Sequence, residues 1–201
     1  MQVAFRAKEG NQKRWEIFIN EEKWREVHRA IFGRKPAFPP LESLEELPVI
    51  FDAFEYRRVK GYVLWRLSTQ SYHSEQLAKL LKERLVQNQT ITRVLQEYMD
   101  IGFLNDEMWL QTFMRSHQKR YSLRLILSKL HAKGLSSETV QEVAKNWKDP
   151  EVEFHALQHL LQTRYRNKDF SQREIKQKVI AALARKGYSF SQIQEAFQNL
   201  N

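Results

Sequence analysis

Hydrophobic residues recur along this chain in three copies of one spacing. Each copy has apolar residues at i and i+4, then a turn, then apolar residues at i, i+3, i+4 and i+7, which predicts two short amphipathic helices. The second copy follows the first by 49 positions, and the third follows the second by 53. The copies are Leu77, Leu81, Ile91, Val94, Leu95 and Tyr98; Ile126, Leu130, Val140, Val143, Ala144 and Trp147; and Val179, Leu183, Ile193, Ala196, Phe197 and Leu200. A repeat of roughly 50 residues is typical of stacked helical units that bind along extended partners.

A further helical stretch precedes each copy, at Val59–Leu67, Met108–His117 and Phe154–Leu161. The pattern therefore predicts an all-α protein of three tandem three-helix repeats that form a curved, elongated array. We place a leading helix and the first repeat at 41–105, the second repeat at 106–149 and the third at 150–201. Residues 1–40 form an N-terminal extension.

The N-terminal extension has a different periodicity. Val3–Phe5 and Trp15–Ile19 alternate apolar and polar residues on either side of the turn-like Glu9-Gly10-Asn11, which predicts a small β-hairpin. Glu21–Phe32 fits either a further strand or a short helix. Gly33–Pro40 contains three prolines and predicts a linker.

Helical periodicity starts near Ser43, a good N-cap with Glu46 three residues later as a capping box. Pro48 then belongs to the first turns or separates a short helix from the next. Apolar residues continue at helical spacing from Phe51 to Ser68.

Glycines mark the turns inside the repeats. Gly134 and Gly187 each follow a basic last turn and precede an apolar residue, the signature of a left-handed C-terminal cap. Leu85 occupies the equivalent place in the first repeat, so we expect a turn of another kind there. The predicted N-caps are Ser136 or Ser137, Ser189 or Ser191, and Asn105 or Asp106.

The composition excludes several classes of protein. The chain has 201 residues, 42% of them hydrophobic, which is enough for a buried core, and it shows neither an apolar run of membrane-spanning length nor a signal-peptide pattern. It has no cysteine, which excludes disulfides and thiolate chemistry. We expect a cytoplasmic protein.

The net charge of +9 is unevenly distributed. Leu41–Glu55 carries −5, whereas Glu107–Gly134 carries +5 and Leu160–Tyr188 carries +6. Positive charge concentrated in the later repeats indicates a partner rich in phosphate or carboxylate.

Catalytic and metal-binding patterns are weak. His155 and His159 are spaced i, i+4, as metal ligands on a helix can be, but without an evident third ligand two exposed histidines are the better interpretation. His117 shares a helix face with apolar residues and is expected to be packed. No phosphate-binding loop or nucleophile motif occurs. We therefore expect a protein that is not an enzyme and uses no cofactor and no metal.

The aromatic residues divide by their place in the repeat. Tyr98 and Trp147 occupy equivalent apolar positions and are expected in the core. Trp65 and Trp109 fall outside that register and are the better candidates for exposed stacking platforms.

A set of basic side chains on polar helix faces forms the predicted binding strip. Such residues could contact a nucleic-acid backbone or an acidic protein surface. The predicted contact residues are Arg115, Lys119, Arg120, Arg124, Lys176, Lys178, Arg185 and Lys186.

Four segments resemble a known family. The run Arg120–Ser136 resembles the second-repeat core of the bacterial regulatory protein RecX family, and Gly102–Asp106 resembles the junction that precedes it. Lys178–Phe197, with Arg185-Lys186-Gly187-Tyr188, resembles the last repeat, and Tyr72–Leu77 resembles the first. The match covers about 52–201, and the hairpin-like start is similar to that of the longer, N-terminally extended members. His73, where the family usually has a small N-cap residue, departs from the pattern.

The resemblance implies a modulator of the RecA recombinase. Such proteins bind in the groove of the RecA filament on single-stranded DNA and restrain ATP hydrolysis and strand exchange. The implied partners are the RecA filament and single-stranded DNA, directly or within the filament, with no membrane, and the implied state is a monomer. The alternatives are a DNA-binding helical protein that acts without a recombinase, and a structural adaptor that uses its apolar or acidic surface.

Overall fold

The computed structural model describes residues 2–147 and 150–200 of the chain. Within that part of the chain, three strands are followed by ten helices, and the chain divides into two compact units, Met1–Asp106 and Glu107–Asn201. The strands are β1 (Val3–Ala7), β2 (Arg14–Ile19) and β3 (Glu22–His28). The helices are α1 (Arg29–Phe32), α2 (Leu47–Thr69), α3 (Ser74–Glu83), α4 (Asn88–Asp100), α5 (Asp106–Gln118), α6 (Leu123–Ala132), α7 (Ser137–Asn146), α8 (Pro150–Thr163), α9 (Arg173–Ala184) and α10 (Phe190–Gln198). The predicted all-α class is confirmed, with a small sheet added at the start.

The N-terminal sheet is antiparallel in the order β1-β2-β3. Val3 pairs with Ile19 and Ala7 with Trp15, so the predicted hairpin is present. The segment that the sequence left undecided forms both β3 and the single-turn helix α1, which starts where His28 Nδ1 accepts a hydrogen bond from Ala30 N at 3.0 Å. The third strand thus extends the predicted hairpin to a three-stranded sheet.

The predicted helix start at Ser43 is wrong by four residues, since α2 begins at Leu47. The Glu46 side chain does not form the predicted capping-box hydrogen bond with Ser43. Instead its Oε2 accepts a hydrogen bond from Glu42 N at 3.4 Å. Pro48 lies in the first turn of α2, where a missing N–H costs nothing, and α2 continues without interruption to Thr69.

The repeated apolar positions are largely the buried ones. All six residues of the first copy are buried, as are three of the second and four of the third, and the remaining five are half-buried. The second and third copies each pack with the preceding helix into a separate core, around Phe113 and Leu157, whereas the first copy shares one core with the sheet, α1 and α2. Within Glu107–Asn201 the pattern therefore marks the interior of each three-helix group and not a continuous seam between groups.

The turns inside the three repeats share one geometry. Gly134 and Gly187 have φ of 96° and 95°, as predicted, but Leu85 also lies in the left-handed region at 60°. In each turn the following residue donates its N–H to the carbonyl five positions back: Val86 to Leu81, Leu135 to Leu130 and Tyr188 to Leu183. The expectation of a different first turn is wrong, because this bond and the buried apolar residue that makes it impose the same backbone on a leucine.

Helix caps follow the prediction in part. Ser136 and Ser189 cap α7 and α10, and His73 itself caps α3 by accepting a hydrogen bond from Glu75 N through Nδ1. Asp106 begins α5, but its carboxylate accepts hydrogen bonds from Ser74 N at 2.7 Å and Ser74 Oγ at 2.5 Å. It therefore stabilises the first turn of α3 as well as starting the next helix.

Glu55, in the acidic segment, also has a structural role. It is 1% exposed and accepts a hydrogen bond from Gln87 N at 3.2 Å, at the start of α4, where Gln87 supplies no side-chain cap. Burial raises the pKa of the Glu55 carboxyl. The hydrogen bonds from Thr90 and Gln87 and the charge of Arg25 act in the opposite direction. This carboxylate is therefore part of the fold of the first unit.

No helix in the described part of the chain is long and apolar enough to cross a bilayer.

Candidate anion-binding interface

All eight predicted contact residues lie in the second unit. Seven of them, Arg115, Lys119, Arg120, Arg124, Lys176, Lys178 and Arg185, have exposed side chains. Lys186 is half-buried. This difference arises because the α9–α10 turn, which carries Lys186, packs against the start of α6.

The packing of that turn is tight and depends on glycine. Ser122 N donates a hydrogen bond to the Lys186 carbonyl at 3.0 Å. A Cβ at Gly187 would lie 2.2 Å from Ser122 Oγ and 2.8 Å from Leu125 Cβ, so no side chain fits. The second and third three-helix groups are joined at this point by close backbone contact.

Arg120 and Lys186, 66 positions apart in sequence, meet at this contact. Lys186 Nζ donates a hydrogen bond to the Arg120 carbonyl at 3.4 Å. It also lies 5.0 Å from the ring centroid of Tyr121, and Lys129 Nζ lies 4.8 Å from the same ring. Tyr121 is thus an aromatic platform that holds two ammonium groups.

The charge at this contact is concentrated and positive. The pKa of Lys186 is lowered, first by burial and then by the charges of Arg164 and Arg120. We call Arg120, Tyr121, Lys129, Arg164 and Lys186 the basic junction. An anion bound there would stabilise the protonated form of Lys186, since an opposite charge favours ionisation.

The cations of the basic junction are not paired with carboxylates in the described part of the chain. Among the described residues, no carboxylate lies within ion-pair distance of Arg120, Lys129, Arg164 or Lys186. The ion pairs found in the described chain belong to the first unit. An unneutralised cluster on a rigid contact is the arrangement expected for binding a phosphate or carboxylate group.

The other predicted contact residues lie apart from this cluster. Arg124 borders a groove of about 690 Å³ between α6 and the α9–α10 turn, which Glu153, Ser189 and Gln192 also line. Lys176 Nζ lies 5.2 Å from the ring centroid of Phe197, at the edge of the third core. It is ten residues before Lys186, about 15 Å along α9.

Lys178 and Arg185 share an exposed face of α9 at i, i+7. Arg115 lies in the last turns of α5, and Lys119 follows that helix. The contacts of the second unit therefore bring together Arg120 and Lys186, while whether all eight residues act as one binding strip stays a prediction.

Two members of the basic junction, Lys129 and Arg164, were not among the predicted residues. Lys129 is on the same helix as the core residues Ile126 and Leu130, and its side chain is half-buried. Arg164 follows α8, 44 positions from Arg120. Sequence spacing offers no signal for this meeting, although the local sequence Arg164-Tyr165-Arg166 is conspicuously basic.

The aromatic and histidine predictions give mixed results. Trp65 is 55% exposed as expected, but Trp109 stacks on Phe113 at 5.1 Å and belongs to the second core, so its predicted exposure is wrong. His117 is packed as predicted, stacked on Phe113 at 4.0 Å. His155 and His159 are exposed on α8, and the described residues contain no group of three potential metal ligands.

The known proteins to which this chain is similar include several that share one name. The family model described as "RecX, third three-helix domain" matches residues 151–197. The protein named Regulatory protein RecX from Bacillus subtilis is 23% identical over 94% of this chain and 73% of its own length. The one from Streptococcus sanguinis is 25% identical over 78% of this chain and 60% of its own length.

Solved structures support the fold. A crystal structure of regulatory protein RecX aligns over 98% of both chains with a TM-score of 0.56 and 20% identity. RecX from Lactobacillus salivarius aligns over 74% of this chain and 97% of its own, also with a TM-score of 0.56, at 19% identity. The resemblance predicted from the motifs is confirmed, since the chain is similar to RecX regulatory proteins in sequence and its 151–197 segment matches the model of their third three-helix domain.

Proposed function

We propose that this chain is a negative regulator of the RecA recombinase. It binds in the groove of the RecA filament on single-stranded DNA and inhibits ATP hydrolysis and strand exchange. The similarity to RecX regulatory proteins supports RecA as the partner. The basic residues of the second unit supply the attraction to a filament that carries DNA phosphates.

The observation that carries the proposal is the basic junction. Four cations converge there with no carboxylate partner among the described residues. Maintaining such a cluster is electrostatically unfavourable for the isolated protein, and binding to an anionic partner removes the cost. A binding role accounts for this arrangement, whereas a purely structural role would favour neutralised charges.

Tandem helical groups suit a polymeric target. Successive groups along one chain can contact successive subunits of a filament. Inhibition then follows because a protein spanning several subunits opposes the conformational changes that accompany ATP hydrolysis. We expect the protein to act as a monomer in the cytoplasm, without a cofactor.

A RecA ATPase assay on single-stranded DNA tests this proposal. With substoichiometric amounts of the protein, we expect steady-state hydrolysis to fall, and we expect the protein to co-sediment with filaments. Unchanged hydrolysis together with no co-sedimentation would contradict the proposal.

A second candidate is a nucleic-acid-binding protein that acts without a recombinase. The observation in its favour is that the basic junction has the cations for phosphate and an aromatic ring at their centre. Fluorescence anisotropy with labelled oligodeoxythymidine measures this activity directly. Tight, salt-dependent binding to DNA with no effect on RecA would favour this candidate, and no binding to DNA or RecA would favour a structural adaptor.

A further inference from the structure

Gly61 is an unusual residue for its position. It lies in the middle of α2 and is exposed, and no atom of the described residues lies within 4 Å of the place where its Cβ would be. Glycine in a helix interior costs about 1 kcal/mol relative to alanine. Neither a special backbone angle nor packing within the chain requires glycine here, which suggests that the open space above it is used.

That space is an apolar groove of about 880 Å³ in the first unit. Gly61 and Phe54 lie on one face of α2 and form its floor. Phe38 and Pro39, from the segment before α2, line one side, and Trp65 lines the same groove further along the helix. Trp65 is 55% exposed, so a large apolar surface remains in contact with water.

Two arginines border the groove. Arg57 and Arg58 are exposed, and the Arg58 guanidinium lies 5.3 Å from the ring centroid of Phe54. No carboxylate of the described chain is within ion-pair distance of either arginine. The two carboxylates on the same helix are engaged elsewhere: Glu55 is 1% exposed and accepts a hydrogen bond from Gln87 N, and Asp52 accepts one from Gln87 Nε2 at 2.8 Å.

We propose that this groove is a docking site for an acidic peptide segment of a partner protein. The peptide places one apolar side chain over Gly61, between Pro39 and Trp65, and its carboxylates pair with Arg57 and Arg58. Glycine at position 61 allows the peptide to approach the helix closely. The site lies in the first unit, so it does not depend on the basic junction or on RecA as partner.

The lining favours a peptide over a nucleic acid. Its walls are mostly alanine, isoleucine, phenylalanine and proline, which suit burial of an aliphatic or aromatic side chain. A single strand needs cations spaced along its phosphates, whereas the cations that line this groove, Arg57 and Arg58, are adjacent in sequence. The guanidinium group of arginine pairs well with a carboxylate, because two parallel N–H groups can donate to its two oxygens.

Anisotropy of a fluorescein-labelled peptide tests the proposal with the full chain. The probe is a peptide of Asp, Glu and Ser with one central Phe. Two matched peptides replace the Phe by Ser or the acidic residues by Lys. We expect the first to bind and each matched peptide to bind about tenfold or more weakly.

The decisive variant is Gly61→Leu, which fills the groove with a residue that also favours helix. We expect peptide affinity to fall about tenfold while the thermal midpoint stays equal or rises. The matched control is Ala53→Leu, an exposed position of α2 outside the groove, with affinity unchanged. Arg57→Gln provides a second variant that leaves the apolar lining intact and should weaken binding by a smaller factor.

Three outcomes would overturn the proposal. The first is an absence of peptide binding up to about 1 mM. The second is equal binding by wild type, Gly61→Leu and Arg57→Gln. The third is oligodeoxythymidine binding that Gly61→Leu abolishes while the acidic peptide does not bind, which would assign the groove to nucleic acid.

Discussion

The two compact units carry similar numbers of basic residues and use them differently. Residues 1–106 contain 17 Lys and Arg against 15 Asp and Glu, a net +2, whereas residues 107–201 contain 16 against nine, a net +7. In the first unit, Glu26 accepts hydrogen bonds from Lys8 and Lys23 at 2.7 and 2.9 Å. In the second unit, the cations of the basic junction contact an aromatic ring and a carbonyl.

The ionisation of key groups differs in the same way. Hydrogen bonds from Lys8 and Lys23, and less strongly from Arg14, lower the pKa of Glu26 to about 2, which means that the folded state favours the charged form of this carboxylate. Burial and neighbouring cations lower the pKa of Lys186, so the folded state of the second unit disfavours that charge. The ion pairs of Glu26 stabilise the fold of the first unit, whereas we assign the charge at the basic junction to a partner.

The largest effect is expected from Gly187→Ala. The added Cβ would meet Ser122 and Leu125 in a backbone conformation with φ of 95°, so we expect the free energy of unfolding to fall by about 3 kcal/mol. Urea denaturation measures this loss. A change under about 1 kcal/mol would mean that the contact between the two helical groups is looser than described.

Removing one charge from each unit should have opposite consequences. Lys186→Met keeps the apolar stem on Tyr121 but removes a disfavoured charge, so we expect the thermal midpoint to rise by about 1–2 °C. We expect affinity for oligodeoxythymidine to fall about threefold to tenfold and the salt slope to fall by about 0.7.

The matched change in the first unit is Lys23→Met, which removes the partner of Glu16 and Glu26. We expect a slightly lower thermal midpoint and unchanged affinity for DNA. The comparison fails if Lys186→Met lowers stability and leaves affinity intact, or if both variants weaken DNA binding equally.

The substitution Leu85→Gly tests the turn between α3 and α4, which is equivalent to the turn at Gly187. Glycine removes the strain of a leucine in the left-handed region, which should stabilise the folded state by about 1–2 kcal/mol. The loss of packing by the half-buried side chain and the greater flexibility of the unfolded chain act in the opposite direction. We expect a net change below about 1 kcal/mol in the free energy of unfolding. A loss like that of Gly187→Ala would show that Leu85 is held by contacts as strict as those of the second unit.

The smallest effect concerns acid stability. Because the folded-state pKa of Glu26 is lowered, its contribution is complete above its ordinary pKa of 4.5 and is lost as pH falls towards about 2. We expect Glu26→Gln to flatten the pH dependence of the urea midpoint in that window. If the urea midpoint depends on pH in the same way in wild type and in Glu26→Gln, then Glu26 does not contribute to stability in this pH range.

Local patterns predicted most of the helical fold. The apolar positions of the copies are buried or half-buried because a 3.6-residue period places them on one helix face. Gly134 and Gly187 end helices as expected because few other residues adopt a left-handed backbone without strain. Leu85 was predicted wrongly because tertiary contacts can impose that backbone on a leucine.

The sequence pattern did not predict two local contacts or the meeting of distant residues at the candidate site. Glu46 reaches back to Glu42, which leaves Ser43 outside α2, and Trp109 packs on Phe113 although it falls outside the repeat register. At the candidate site, the sequence identified Arg120 and Lys186 separately. The hydrogen bond from Lys186 Nζ to the Arg120 carbonyl, and the approach of Arg164 to Lys186, depend on the packing of the α9–α10 turn against α6.

Co-sedimentation with RecA filaments on single-stranded DNA tests the central claim most directly. Three proteins are compared at one ionic strength: wild type, Arg120→Glu with Arg124→Glu in the second unit, and Lys8→Glu with Lys23→Glu in the first. We predict that wild type and the first-unit variant sediment with filaments, provided the latter remains folded by circular dichroism. The second-unit variant should stay in the supernatant with a nearly unchanged thermal midpoint. Equal sedimentation of all three folded proteins would contradict the claim that the unpaired cations of the second unit bind the partner.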